Sequence, residues 1–577
     1  MTSAPLGSMP SGRRAWLPVA GLVGLAIAAS ISGIGNQFAQ DDFPIIWKNP
    51  AVHDLWHSYR LFAQSYWPKP FTPDLYRPFA MLSYAIEWAI GGGAPLLFRL
   101  FSYALYALVT LGVFRLARLL LPFGAAFAAA ALFAVHPVHV EAVAMAVNQG
   151  ELWVGLLCCL AVGHYLRARR AGGPLRARTE LGLAGLYLIA CLFKENALVL
   201  PGLLLAAEAL LVPAGEPIRQ RLARGRRLLL LLALVAVSFY GVRTLVLGGD
   251  LVGTFTAEGL AYLSMGQRAL TMLAVVPRWF TLLLWPAHLQ ADYSPAEIVA
   301  QTAWGPEQTL GVLLLLGAVL AALVAWRRAR VVSFGVAWCA IALFPVHNVL
   351  VPTGIVLAER TLFLPSIGVV LAIGGLGALL AERFGATARL GLAAALGALL
   401  ILGVFRSTTR HPVWADQFGL WYDTANRDAP LSYRAHHALA EMYYMAGSEG
   451  RAEREYRLAI AYSPAKVSQV YLDYANKLRL KGFCYPAAEL YRQALRIRPN
   501  NMAARASLLA CLFQLGGYRE ALAVARIGVA YDWQLKSWQA LRFSADSAWR
   551  VGAPAGSVKV TLVSDSVGAY MNIGRKP

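Results

Sequence analysis

Thirteen apolar runs in the first 405 residues limit what this chain can fold into more than any other feature. They fall near 16–34, 78–91, 96–114, 123–135, 151–166, 180–193, 197–212, 228–245, 268–286, 308–326, 332–348, 361–381 and 388–405. A bilayer's hydrocarbon core is about 30 Å thick and takes about 20 apolar residues as one helix. The chain is 58% hydrophobic and 14% charged, with a mean hydropathy of +0.52. Soluble domains carry about 25% charged residues, so most of these residues belong in lipid. The expected fold class is all-α: a polytopic helical membrane domain, followed by a second, soluble part.

The net charge of +21 could suggest nucleic acid, but its distribution argues against that partner. Arginines cluster in short loops between apolar runs, at 167–178, 219–227 and 327–330, which is the positive-inside pattern of cytoplasmic loops. If all thirteen runs crossed, the loop at 167–178 would face outward. Two runs are poor crossings on other grounds. The run at 78–91 is short and holds Glu87, and that at 268–286 holds Arg268, Pro277 and Arg278. With both interfacial or re-entrant, about 11 spans remain, every Arg-rich loop falls inside, and the C-terminal part falls outside. The first run, behind Arg13 and Arg14, then reads as an uncleaved span with a cytoplasmic N-terminus. Cys158, Cys159, Cys191 and Cys339 lie in apolar runs as buried thiols.

This topology gathers the unusual polar sequence on the outer face. Asp41 and Asp42 stand at the mouth of the first span, in an outer loop at 35–78 that ends in Tyr76-Arg77-Pro78. The same face receives His136, His139 and Glu141, the stretch at 148–151, Lys194 and Glu195, the stretch at 285–293, His347, and Glu359 with Arg360. Ionisable groups near a bilayer are costly and are usually kept for function. Adjacent carboxylates can hold a divalent cation such as Mg or Mn, or one can serve as general base while the other orients it. No third ligand accompanies His136 and His139, so two hydrogen-bonding histidines at a helix break are expected there. Lys194 and Glu195 could pair locally, Arg360 could snorkel, and Glu141 needs a distant cation. Arg77, Lys194 and Arg360 on one face would make a phosphate clamp.

From about residue 406 a repeat appears. Gly447, Ala452, Tyr456, Ala459 and Pro464 recur 35 residues later as Gly482, Ala487, Tyr491, Ala494 and Pro499, and Gly516 and Ala521 begin a degraded third copy. Small residues at helix crossings, an aromatic between them and a closing proline are the pattern of tetratricopeptide repeats, an α-solenoid with a concave binding surface. The expected division is a membrane domain at 1–405, about three repeats at 406–552, and an extended tail at 553–577. Cys484 and Cys511 could form a disulfide outside the cytoplasm, though packed thiols are the simpler expectation.

An acidic pair in the first outer loop, followed by many spans, resembles the GT-C glycosyltransferase superfamily. Within it, DDFPIIWKNP, YRPFAMLSYAI, FAVHPVHVEAVA, the KENA turn, WPAHLQADY and AERTLFLPSIG resemble the transmembrane and tetratricopeptide-repeat O-mannosyltransferases, over nearly the whole chain. The resemblance implies a polyprenyl-phosphate-linked sugar donor and transfer to a protein hydroxyl outside the cytoplasm. It implies catalytic roles for Asp41, Asp42 and Glu141; in the mechanism we expect, one of Asp41 and Asp42, with Asp42 preferred, is the base. Donor-phosphate contacts fall to Arg77, Lys194 and Arg360, with His136, His139, Glu195, His347 and Glu359 supporting. The chain departs from the family pattern at 148–151, where Asn-Gln-Gly-Glu replaces the usual Gly-Arg before Glu-Leu, and near Arg99 and Ser102, where relatives often show His and Asn. The expected setting is a bacterial inner membrane with periplasmic repeats that bind a polypeptide acceptor or a partner protein. Two other classes remain open: a transporter of lipid-linked substrates, and a non-enzymatic scaffold for envelope assembly.

Overall fold

In a computed structural model, described over residues 16–71, 73–171, 174–213, 217–249, 256–464, 467–531, 536–565 and 568–575, every apolar run is helical. Arg13 and Arg14 lie outside the described residues. The first helices are α1 (Leu17–Ser30), α2 (Pro78–Gly91), α3 (Pro95–Leu120) and α4 (Phe123–Ala134). They are followed by α5 (Val140–Ala144), α6 (Gln149–Arg170), α7 (Ala177–Phe193) and α8 (Leu200–Leu210). Next come α9 (Ile218–Arg224), α10 (Arg226–Val246), α11 (Met265–Leu284), α12 (Pro306–Arg328), α13 (Arg330–Leu343) and α14 (Phe363–Arg410). Proline opens several of them, at Pro78, Pro95 and Pro306, where its missing N–H has no partner to lose. The last two runs form α14 together, broken at Gly385, whose φ of 68° favours glycine.

Among the described residues five helices are long and apolar enough to cross a bilayer, and α4 with α5 forms a further pair bent by 47°. Only 6% of the apolar window of α12 is buried within the protein. Leu313, Leu316, Leu320 and Leu323 on it stand more than half exposed. A rod of 23 residues with bare leucines needs lipid around it. The chain is an integral membrane protein. Helix α2, at 14 residues, spans about 21 Å at 1.5 Å per residue, short of the hydrocarbon core.

Buried contacts centre on α3, α4, α6, α7, α8 and the first half of α14. Helices α13 and α14 cross closely through a reciprocal glycine pair: a Cβ on Gly335 would lie 2.3 Å from the Gly368 carbonyl oxygen, and one on Gly368 2.4 Å from that of Gly335. Small residues allow this approach where lipid supplies no hydrophobic drive between helices.

The chain divides into two compact units, Met1–Tyr293 with Ile298–Pro430 and Ser294–Glu297 with Leu431–Pro577. The boundary expected at 405 falls inside α14. That helix continues through Arg406–Arg410 after the hydropathy drops, because its end is held by the first unit: Ser32 Oγ donates to the Thr408 carbonyl and Asn36 Nδ2 to that of His411. A further helix, α15 (Gln417–Asp423), also belongs to this unit.

The second unit contains helices α16 (Tyr433–Met445), α17 (Glu449–Tyr462), α18 (Ser468–Leu480), α19 (Cys484–Ile497), α20 (Met502–Leu515), α21 (Tyr518–Tyr531) and α22 (Lys536–Arg550). Consecutive helices pack on one another within the pairs. The periodic glycines 447, 482 and 516 take φ of 71°, 86° and 75° at the ends of the first helices, conformations that only glycine adopts without strain. Ala452, Tyr456 and Ala459, and again Ala487, Tyr491 and Ala494, are buried. The tyrosine hydroxyls donate to Glu441 and Asn476, a correspondence not apparent in the spacing alone. In the third copy the last alanine becomes Gly528, since a Cβ there would lie 2.2 Å from Trp538. Cys484 and Cys511 are free, and Cys484 Sγ donates to Gln514 Oε1. The tail expected to be one extended segment is an antiparallel hairpin, β1 (Val558–Asp565) with β2 (Gly568–Arg575).

Candidate functional site

Polar residues collect at two opposite ends of the membrane unit. Helix α6 carries Glu151 at its start and Arg169 near its end, separated by about 27 Å at 1.5 Å per residue. At the arginine-rich end Glu208 pairs with Arg169 and with Arg221 and accepts from the Tyr165 hydroxyl. The acid loop meets the other end.

There, three cations each hold a carboxylate from another segment. Arg77, at the start of α2, makes a two-pronged contact with Glu195, Nε to Oε2 at 2.9 Å and Nη2 to Oε1 at 2.5 Å. Its guanidinium also lies 4.9 Å above the Tyr66 ring. Lys194 donates to Glu151 at 2.7 Å. Arg360 gives both its backbone N–H, at 2.8 Å, and Nη1 to Glu141. The neighbours Lys194 and Glu195 therefore do not pair with each other. A backbone break at the end of α7 turns them to different partners, with Lys194 extended at φ −161° and ψ 138°. Gly150 permits the contact with α6, because a Cβ there would lie 3.2 Å from the Phe193 carbonyl oxygen. Arg360 does not simply snorkel, and the distant cation that Glu141 needs is Arg360, 219 residues away.

The pairs are also close to one another. Burial lowers the proton affinity of the Lys194 ammonium, and the charges of Arg77 and Arg360 lower it further against Glu151 and Glu195. Burial opposes ionisation of Glu195, but the Arg77 contact prevails and holds its carboxyl at about 2. Arg77 uses two of its donor nitrogens on Glu195, and Lys194 one of its protons on Glu151. A guanidinium has five N–H donors and an ammonium three, so donors remain for an anionic ligand.

The acidic pair is asymmetric. Asp41 is half-buried, and its charge acts on Arg360 and Tyr66. Asp42 is fully buried and does have a cationic partner, Arg99, with Nη2 3.6 Å from Oδ2. Asp42 Oδ1 accepts the Val147 N–H at 2.9 Å. Burial raises its carboxyl above the usual range, while Arg99 and the Val147 N–H pull the other way. The sequence motifs mark Arg99 only as a departure from the family pattern; an ionisable residue inside an apolar run is the signal that would have singled it out.

His136 and His139 have both ring nitrogens engaged. His136 takes the Val138 N–H at Nδ1 and bonds the Leu283 carbonyl through Nε2. His139 bonds the Tyr106 hydroxyl and Ser366 Oγ. Glu359 is buried and accepts from the Gln290 N–H and the Tyr293 hydroxyl. His347 is tied to its own loop, stacked on Phe344 and accepting from the Leu350 N–H at 3.4 Å. Glu87, buried on α2, accepts from Ser83 Oγ and Gln149 Nε2, and burial pushes its carboxyl up to about 8. For a divalent cation, Asp42 is poorly placed, since its oxygens face Arg99 and backbone N–H groups. Among the described residues the one His/Cys/Asp/Glu group with ligand atoms close together is His437, Glu441 and Asp473 in the second unit.

No family model matches the chain. The Caenorhabditis elegans protein O-mannosyl-transferase F38B6.6 is 24% identical over 455 residues, 77% of this chain and 62% of that protein. The mouse protein O-mannosyl-transferase TMTC1 is 25% identical over 569 residues, 80% of this chain and 59% of that protein. Drosophila melanogaster protein O-mannosyl-transferase Tmtc2 is 36% identical over 188 residues, 30% of this chain and 20% of that protein. The chain thus spans less than two thirds of the length of these relatives. The Archaeoglobus fulgidus oligosaccharyltransferase superposes over 74% of this chain with 16% identity and a TM-score of 0.39, too remote to bear on the site. The chain is therefore similar over most of its length to animal proteins named protein O-mannosyl-transferases, the resemblance its motifs led us to expect.

Proposed function

We propose that this protein is a membrane glycosyltransferase that moves a sugar from a polyprenyl-phosphate carrier to a polypeptide hydroxyl on the extracytoplasmic side. The observation that carries this reading is the convergence of Arg77, Lys194 and Arg360 beside Asp41, each cation with donors to spare. The curated relatives, all named as protein O-mannosyl-transferases, support the reaction class.

In this mechanism the lipid phosphate of the donor rests against the three cations. Asp41 takes the proton from the acceptor hydroxyl as its oxygen attacks the anomeric carbon. The bond from that carbon to the phosphate oxygen breaks with inversion. The polyprenyl phosphate leaves with the bonding pair, and the cations stabilise its growing charge. A positioned base contributes about 10²–10⁴-fold. Asp41 replaces Asp42 as the preferred base because Asp42 is fully buried and faces Arg99. Glu141 and Glu195 hold the cations, and His136, His139, Glu359 and His347 brace the surrounding segments. No step is assigned to a metal; were the reaction to use Mg or Mn, Asp41 would hold it in preference to Asp42, whose oxygens face Arg99 and backbone N–H groups. In this reading the Arg-rich end is cytoplasmic, the membrane is a bacterial inner membrane, and the tetratricopeptide-type unit binds acceptor polypeptide in the periplasm.

The test is transfer of label from polyprenyl-phosphate mannose, and from its glucose counterpart, to secreted polypeptides by the purified protein. Label should reach the polypeptide or appear as free sugar, and Asp41→Asn should cut that turnover by at least a hundredfold with the fold intact. Turnover at the wild-type rate in the variant overturns the base assignment. Wild-type protein that moves the donor across vesicles without breaking it overturns the enzyme.

A further inference from the structure

Arg99 makes more contacts than an ion pair needs. It is fully buried on α3, and its guanidinium reaches two sides of a seam. On one side Nε donates to the Asn36 carbonyl at 3.4 Å and Nη2 to the Gln37 carbonyl at 2.6 Å, just ahead of the acidic pair. On the other, Nη1 donates to the carbonyl of Ala144, the last residue of α5. That carbonyl belongs to a helix end, where intrahelical partners run out. Asp42 repeats the pattern: its Oδ2 faces Arg99 while its Oδ1 takes the Val147 N–H from the turn beyond α5. Between them Gln40 turns the chain with φ of 50°, a left-handed backbone that a non-glycine residue adopts only when its surroundings impose it.

The far side of the seam is also the segment that holds Arg360. Glu141 lies three residues before Ala144 on the same short helix and grips Arg360. A shift of the acid loop along this seam would move Asp41 away from the cations.

Resting on the reading above, we propose that Arg99 and Asp42 form a buried clasp that positions the acid loop, setting Asp41 against the phosphate-binding cations. Arg99 is then a positioning residue and Asp42 its counter-ion, neither touching the substrate. Displacement of a reacting group by about 1 Å costs about 10²-fold in rate. Removing one member of a buried pair strands the other's charge, whereas removing both leaves a neutral, packable seam. A clasp is therefore rescued by a second substitution, and a base is not.

The experiment compares Arg99→Met, Asp42→Asn and the double variant in the full chain, purified in detergent, with Arg99→Lys as the milder change. Each single variant should lose about 10²-fold in kcat with little change in donor KM. The double should regain at least tenfold over either single and keep the wild-type acidic limb in its pH profile. Arg99→Lys keeps the charge without the fork and should lower kcat with that limb unchanged. A double as inactive as Asp42→Asn, or singles at the wild-type rate, overturns the clasp. Thermal unfolding of the same four proteins reads the clasp without turnover: both single changes should lower the midpoint more than the double does, and additive shifts overturn it. Wild-type protein that transfers nothing overturns the proposed function alone, because the unfolding comparison still decides the clasp.

Discussion

Removing Glu141 tests whether the tertiary pairing across 219 residues is an energetic contact or a coincidence of placement. The Glu141 side chain is 1% exposed and that of Arg360 15%. Glu141 accepts two bonds from Arg360, one from its backbone N–H at 2.8 Å and one from its side chain. Hydrogen bonds to charged groups contribute about 1.5–3 kcal/mol each. Breaking a buried pair by removing one partner costs about 3–5 kcal/mol, because the surviving charge stays desolvated. Arg360 keeps some contact with solvent, so the lower end applies, about 3 kcal/mol for Glu141→Gln. That is more than a hundredfold in the unfolding constant. With Arg360→Met added, no charge is stranded, and the double should recover most of the loss, so the two single losses together should exceed the double's by at least about 2 kcal/mol. Reversible unfolding of the four proteins in mixed micelles, titrated with denaturing detergent, measures the cycle. Additive losses, or a Glu141→Gln variant within about 0.5 kcal/mol of wild type, would refute the reasoning.

Other expectations follow from the same geometry. Arg77→Lys loses the two-pronged contact with Glu195 and the stacking on Tyr66, so donor KM should rise about tenfold or more while the protein stays folded, as donor titration of the transfer rate would show. Glu87, held up to about 8 against an ordinary 4.5, binds a proton in the folded protein that the unfolded chain has released. Its contribution therefore falls as pH rises between those values. Glu87→Gln should gain stability relative to wild type across that window, and a difference independent of pH in melting curves would contradict this. Gly335→Ala should destabilise by about 1–3 kcal/mol by driving α13 off α14, whereas Gly317→Ala on α12, where a Cβ meets nothing within 4 Å, should be neutral in the same melting assay.

Much of the architecture was legible because its causes are local. Apolar character is written in each run, and all thirteen runs are helical. The repeat glycines at 447, 482 and 516 mark left-handed turns that tolerate no other residue without strain. The polar outer segments could likewise be picked out one by one, since an ionisable group beside lipid is conspicuous wherever it lands. What tertiary structure alone decided is which charge answers which. Lys194 turns from its neighbour Glu195 to Glu151, Glu141 finds Arg360, and Asp42 disappears against Arg99, leaving Asp41 at the cations. An ion pair depends on distance in space, and distance along the chain carries no trace of it until the helices pack.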